Sequence, residues 1–222
     1  MKIINFDKEN SLVSQYMLEL RDVSIQRDRM RFRHNLQRIG EIMAYEISRS
    51  LDYEEVPTAT PLGTATCRTI KDQLVLGTIL RAGMPFHNGF LSYFDYADNA
   101  FVSAYRKYKE KDSFDIHIEY IATPSLDGKT LILVDPMLAT GASMELAYRA
   151  LLTKGTPERV IFASVIASAQ AVEFLGSHFS DNVSLYVACI DDVINEHKYI
   201  VPGLGDAGDL AFGEKLYRMF ST

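Results

Sequence analysis

Apolar residues return every three or four positions between residues 11 and 51: Leu12, Tyr16 and Leu20, then Leu36, Ile39, Met43 and Ile47. That spacing lines one face of a helix, so it predicts two amphipathic helices in an N-terminal layer. Beyond Pro57 the texture changes to short β-rich stretches, PTATPLGTATCRTI, QLVLGTILRAG and NAFVSAYR, with a helix over PFHNGFLSYF between the last two. The charged segment RKYKEKDSFD separates AFVSAY from IHIEYIA. Two β-like runs around a polar stretch predict a protruding hairpin arm over residues 104–121, with a mobile tip.

From residue 130 onward strand and helix alternate: TLILVDP, SMELAYRALLTKG, RVIFASVIAS, AQAVEFLGSHF and SLYVACID. Gly155 stands where a helix C-cap belongs, and TPERV leads into the next strand. The alternation predicts an α/β fold, a mostly parallel sheet flanked by helices on both faces. No repeat, low-complexity tract or linker interrupts the 222 residues, so one domain over 1–222 is expected, with N-terminal helices over 1–51.

With 47% hydrophobic residues, a chain of this length can hide roughly 70% of the surface its unfolded form exposes, so neither disulfide nor structural metal is required. The net charge of −6 weighs against nucleic acid or an anionic membrane as partner, while leaving room for a small anion in a local pocket. Cys67 and Cys189 lie outside any CxxC pair or Cys/His cluster and read as free thiols in a reducing compartment. The segment MKIINFDKEN carries charges where a signal peptide needs an apolar run, and no window approaches about eighteen apolar residues, which predicts a cytoplasmic protein. His34, His87, His117, His178 and His197 show no metal-ligand spacing. Arg27, Arg29, Arg31 and Arg33 stand at every second position, so a helix spreads them over two faces. Solvated or subunit-contacting arginines are the better reading of that run than an anion site.

The stretch LILVDPMLATGAS is the most informative, because an apolar strand there ends in an acid and a short loop opens a helix. Ligands of open α/β sheets bind beyond the carboxyl ends of the strands. Gly141 lets the backbone approach a ligand, Thr140 and Ser143 supply hydroxyl donors, and the helix start offers unpaired N–H groups to a phosphate. Asp135 would repel that phosphate but can accept hydrogen bonds from two neighbouring sugar hydroxyls, and the two chemistries together describe a phosphoribosyl group. Taken alone, so short a loop is better read as a strand-end acid and a turn glycine. No GxxxxGK[ST] occurs.

A second block, NEHKYIVPGLGDAGDLAFG over residues 195–213, carries three glycines and a proline between residues 200 and 208. It predicts an irregular loop with backbone open to a ligand, or a plain surface loop ending the last strand. Backbone donors and acceptors suit the edge of a pyrimidine, and a mismatched base would leave buried polar groups unpaired. Arg81, at a strand end in TILRAG, could neutralise an anionic leaving group or be an exposed arginine, with equal weight.

DPMLATG resembles the loop that binds 5-phosphoribosyl-1-diphosphate (PRPP) in uracil phosphoribosyltransferases, with Pro136 where most other type I phosphoribosyltransferases carry a second acid. TILRAG is similar to that family's PILRAG, the tyrosine-arginine pair at Arg106 matches the base of its flexible hairpin, and NEHKYIVPGLGDAGD resembles its uracil signature. The resemblance implies a phosphoribosyltransferase-like core. It implies PRPP contacts at Arg81, Arg106, Asp135, Pro136, Met137, Leu138, Ala139, Thr140, Gly141, Ala142, Ser143 and Asp206, and uracil contacts at Ile200, Gly205, Asp206 and Ala207. Asp206, Arg81 and Arg106 become the catalytic set, with Asp206 orienting the nucleophilic nitrogen, stabilising the sugar cation or holding metal-bound water. Mg²⁺ bound mainly through the diphosphate is implied, GTP is admitted as an allosteric effector, and a homodimer or homotetramer is the expected assembly. The chain departs from the family at Ala142, where glycine is usual, and at Leu210, where lysine or arginine is usual. It also departs in FGEKL for FGTK and in VIASAQA, which lacks APEG.

The expected reaction is transfer of the phosphoribosyl group of PRPP to uracil, giving UMP and diphosphate for pyrimidine salvage, with no covalent enzyme intermediate. Two other readings stand beside it: a paralogue that binds uracil and PRPP with weak or lost catalysis, and an RNA-binding pyrimidine regulator on the same fold. The acidic balance weighs against the regulator.

Overall fold

The computed structural model describes residues 1–108 and 114–215, with side chains except those of residues 104–118. Strand β1 (Lys2–Asn5) opens the chain and is followed by a 3-10 turn, Phe6–Lys8. Helix α1 (Leu12–Arg21) starts at Ser11, whose Oγ accepts the Val13 N–H, and buries Val13, Met17 and Leu20. Helix α2 (Arg29–Ser48) starts at Asp28, whose carboxylate accepts the N–H groups of Met30 and Arg31, and buries Phe32, Leu36, Ile39, Met43 and Ile47. Each side chain of that kind contributes about 1.5–3 kcal/mol by leaving water. Helix α2 buries every predicted position, whereas α1 is turned by about one residue: Leu12 is 63% exposed, and Val13 and Met17 join Leu20 on the buried face.

Strands β2 (Tyr53–Thr60) and β3 (Gly63–Ile70) pair antiparallel with each other as a separate, mostly exposed ribbon. Then come β4 (Leu74–Leu80), α3 (Gly83–Leu91), β5 (Asp98–Tyr108) and β6 (Phe114–Ala122). β5 and β6 pair antiparallel, as the expected arm requires, and its tip, residues 109–113, lies outside the described residues. Helices α2 and α3 cross closely because Gly40 faces Gly89: a Cβ on either would strike backbone of the other helix.

The second half follows the predicted alternation: β7 (Thr130–Val134), β8 (Met137–Leu138), α4 (Ala142–Leu151), β9 (Arg159–Ser168), α5 (Ala169–His178) and β10 (Val183–Asp191). The chain closes with β11 (Val193–Ile194), β12 (Ile200–Val201) and α6 (Ala207–Phe212). The main sheet runs β1-β10-β9-β7-β4-β5-β6, parallel except for β6, which is antiparallel to β5, with β8 added beside β9. β7 is buried along its whole length and β9 along nearly all of it, the pattern of strands covered on both faces. One core cluster joins the sheet to α1, α2 and α3, and a second joins it to α4 and α5.

Three features depart from expectation. KIIN forms an edge strand parallel to β10. The last six residues before Gly213 form α6, where an irregular loop was predicted, because Asp206 accepts the Asp209 N–H and caps a helix there. In the arginine run Arg27, Arg29 and Arg31 are exposed as expected, and the departure is Arg33, half-buried, which donates to the Ala211 carbonyl at 2.8 Å. Among the described residues no helix is long and apolar enough to cross a membrane. Cys67 is exposed, Cys189 is buried, and both are free.

Candidate active site

After β4 the chain adds β5 on one side, and β7 then pairs with β4 on the other, so the strand order reverses between β4 and β7. That reversal opens a crevice at the carboxyl ends of the two strands. Arg81 follows β4 and Asp135 follows β7; Thr78 and Val134 are register partners just before them. Ser168 ends β9 and Asp191 ends β10, so polar residues line the same edge of the sheet across four neighbouring strands.

The phosphate-loop residues are held from below by β9. The Asp135 N–H donates to the Ala163 carbonyl, the Ile166 N–H to the Pro136 carbonyl, and Met137 and Leu138 pair with Ile166 and Ala167. Asp135 is 9% exposed, and its Oδ1 accepts the Met137 N–H at 3.3 Å. Ser168 is a residue the sequence reading missed. Its Oγ donates to the Ala139 carbonyl at 2.6 Å and accepts the Ala171 N–H at 2.9 Å, tying the loop to the start of α5. The signal was a serine between an apolar strand and a helix, the position of an N-cap.

Gly141 then turns the chain into α4 at φ 79°, a left-handed conformation, and a Cβ there would lie 2.9 Å from Phe174 Cδ1. Only glycine meets both conditions comfortably. The Ala142 N–H donates to Thr140 Oγ1 at 3.4 Å, and Ser143 stands half-buried in the first turn of α4. First-turn amides have no intrahelical acceptor, so this corner offers an anion N–H and hydroxyl groups together.

Arg81 reaches from the end of β4 to the C-terminal segment. Its Nη2 lies 3.2 Å from Asp209 Oδ1 and 3.3 Å from the Gly213 carbonyl oxygen. Asp209, in the first turn of α6, is the second residue missed, although an acid three positions after the capping Asp206 is a recognisable helix start. Asp206 Oδ2 lies 3.9 Å from Lys215 Nζ. Ile200 is buried in β12, Ala207 is buried at the start of α6, and Gly205 lies between them. Leu210 turns inward against the core, so an apolar contact stands where the family usually carries a cation. Arg106 belongs to β5 as the register partner of Ile116; its side chain lies outside the described ones.

The buried groups beyond this crevice are held in one protonation state. Desolvation pushes the Cys189 thiol up to about 11, although Arg21 stands beside it, so it stays protonated. Asp191 is desolvated, yet its bonds from Arg21 and the Gly203 N–H outweigh that and hold it below the usual carboxylate range.

A family model described as uracil phosphoribosyltransferase matches residues 8–214. A protein named uracil phosphoribosyltransferase from Porphyromonas gingivalis is 59% identical over 216 residues, covering 97% of this chain and 100% of that one. The solved AQ2163 protein of Aquifex aeolicus superposes with a TM-score of 0.84 at 29% identity, over 97% of this chain and 100% of the other. Orotate phosphoribosyltransferase of Mycobacterium tuberculosis, solved with PRPP, superposes with a TM-score of 0.51 at 16% identity over 84% and 94%, a likeness of fold. With the sheet reversal, the phosphate-loop sequence and near full-length identity in agreement, the chain belongs to the uracil phosphoribosyltransferase family.

Proposed function

We propose that the crevice between β4 and β7 transfers the phosphoribosyl group of PRPP to uracil. The bond from uracil N1 to ribose C1 forms as the bond from C1 to the diphosphate oxygen breaks; UMP and diphosphate leave, and the N1 proton passes to solvent. The observation that carries this reading is the Arg81–Asp209 contact, which joins the strand end on the phosphate side to the segment that resembles a uracil signature.

The roles follow from chemistry. The corner from Pro136 through Met137, Leu138, Ala139, Thr140, Gly141, Ala142 and Ser143 would cradle the 5-phosphate, and Asp135 would accept the ribose hydroxyls. Arg81 and Arg106 would neutralise the departing diphosphate, the charge that develops in the transition state. Ile200, Gly205 and Ala207 would read uracil through backbone groups, with Asp206 beside the reacting carbon. Mg²⁺ keeps few protein ligands when a substrate diphosphate binds it, and Asp206 fits that need with a carboxylate 36% exposed. Asp206 is the residue on which its water ligands would rest, and the ion would supply charge neutralisation at the diphosphate.

The exposed β2/β3 ribbon, with Tyr53 and Leu62 open to solvent, supports assembly as a homodimer or homotetramer. A phosphorylated co-substrate that does not cross membranes supports work in the cytoplasm. The deciding assay follows UMP formation from uracil and PRPP with and without Mg²⁺. Magnesium-dependent UMP is expected. Binding of both substrates without UMP would favour the non-catalytic reading, for which the inward-turned Leu210 is the motive.

A further inference from the structure

A segment rich in glycine that reads a base through its own backbone has few side chains with which to fix itself. Its register must be imposed by other parts of the chain. In this protein the N-terminal helical layer does so. Gly203, between the Ile200 and Gly205 positions, is held on both sides: its N–H donates to Asp191 Oδ2 at 2.8 Å, and its carbonyl accepts from Arg21 Nη1 at 3.0 Å. Arg21 and Asp191 are themselves joined by two bonds of 2.8 and 2.7 Å, and Arg21 Nη2 donates to Cys189 Sγ at 2.9 Å. The next carbonyl, Leu204, accepts from Gln26 Nε2 at 3.2 Å, and that amide also donates to the Leu20 carbonyl at 2.7 Å. Further along, Arg33 holds the Ala211 carbonyl.

An ion pair of this burial, 24% exposed at Arg21 and 7% at Asp191, is weak evidence for stability, since desolvation offsets much of the attraction. Its geometry points to orientation instead. The planar guanidinium fork locks onto the carboxylate with two parallel bonds, and both partners spend a remaining hydrogen bond on the same residue, Gly203. A lysine could supply the charge but not the fork.

We propose that Arg21, with Asp191 and Gln26, positions the uracil-reading backbone. Arg21 touches neither substrate and acts through Gly203, while Gln26 acts through Leu204. This rests on the proposed function, since it assigns the segment from Ile200 to Ala207 to uracil. Misplacement by about 1 Å costs on the order of a hundredfold in rate where reacting groups must align, so loosening the clamp should be felt by uracil first.

The test is steady-state kinetics with each substrate varied in turn, together with PRPP titration, on the wild type, Arg21→Lys and Gln26→Ala. Arg21→Lys should raise KM for uracil about tenfold or more while the PRPP Kd stays within about twofold. Gln26→Ala should raise uracil KM by about threefold, and discrimination between uracil and cytosine should narrow in both. A purely structural role would move both substrates together, and that result overturns the clamp; so does an unchanged uracil KM. If Arg21→Lys does not fold, Gln26→Ala decides alone by the same criteria. No UMP from the wild type would sink the proposed function itself, and the clamp with it. UMP from the wild type with unchanged uracil KM in the variants would sink the clamp only.

Discussion

Arg81 Nη2 sits 3.2 Å from Asp209 Oδ1, joining the end of the central strand β4 to the first turn of α6 across 128 positions of sequence. At 42% and 33% exposure the pair contributes little to stability, because solvent screens it. Its interest is local. Arg81 is a proposed diphosphate ligand, so an arriving diphosphate meets a cation that a carboxylate already shares.

Asp209→Asn should therefore tighten PRPP binding, by about fivefold at most given the ~1 kcal/mol ceiling of an exposed pair. The difference should shrink as salt is raised from low ionic strength to about 1 M. Arg81→Ala should do the opposite and lower kcat about tenfold or more, the equivalent of ~1.4 kcal/mol of lost transition-state stabilisation. Titration of PRPP and kcat at saturating substrates check the two arms. PRPP affinity unchanged in Asp209→Asn at low salt would show that the carboxylate does not compete.

Asp135 is nearly buried at the end of β7 and keeps one Oδ on the Met137 N–H. Asp135→Asn preserves shape and leaves one acceptor, so the fold should survive while the paired acceptance of two ribose hydroxyls is lost. Calorimetric titration should show PRPP binding weakened by about tenfold, and KM for uracil at saturating PRPP within about twofold. Undiminished PRPP affinity would remove Asp135 from the ribose site.

Much of the fold was legible because the central strands are covered on both faces. TLILV and RVIFASVIAS are nearly continuous apolar runs, and such runs alternating with helical periodicity admit few other arrangements. The phosphate loop was read through its resemblance to the family's PRPP loop, since its nine residues taken alone favour a strand-end acid and a turn glycine. The short helix α6 was hidden by Gly203, Gly205 and Gly208, which argue for loop, although Asp206 and Asp209 mark a helix start. The ribbon of β2 and β3 reads as strand, but nothing in its threonine-rich pattern says that it leaves the main sheet. The Arg21–Asp191 clamp lay beyond sequence reading, since 170 positions separate two residues with no shared motif.

Gly141 is the loop position where backbone and packing agree on glycine. Gly141→Ala would force a Cβ into a left-handed residue at a cost of roughly 1–2 kcal/mol, and press it against Phe174 and Leu175. Thermal unfolding should fall by about 2–8 °C, with PRPP affinity reduced as the corner shifts. The adjacent Ala142→Gly, at the first helical position of α4, should cost at most about 1 kcal/mol. Equal effects from the two substitutions would refute the special role of Gly141.

His87 gives a prediction about acid. Its ring is 1% exposed on α3, with Nε2 2.7 Å from Asn99 Oδ1. The Asn99 amide nitrogen donates to the Ala97 carbonyl, so Asn99 presents its oxygen and His87 must donate from Nε2. Nδ1 then carries a buried lone pair with no partner among the described residues, and a proton arriving there would bring a charge into the core. Burial accordingly lowers the imidazole below its ordinary value of 6.5, the bond to Asn99 opposing but not cancelling the effect. The unfolded chain takes up this proton at higher pH than the folded one does. The stability tied to neutral His87 is therefore complete above about pH 6.5 and is lost as pH falls toward the lower folded-state value, with a slope of at most about 1.4 kcal/mol per pH unit. His87→Gln keeps a donor for Asn99 and removes the titration. Denaturant unfolding between pH 7.5 and 5 should show the wild type losing stability more steeply than the variant; parallel profiles would mean that His87 takes up its proton equally in both states.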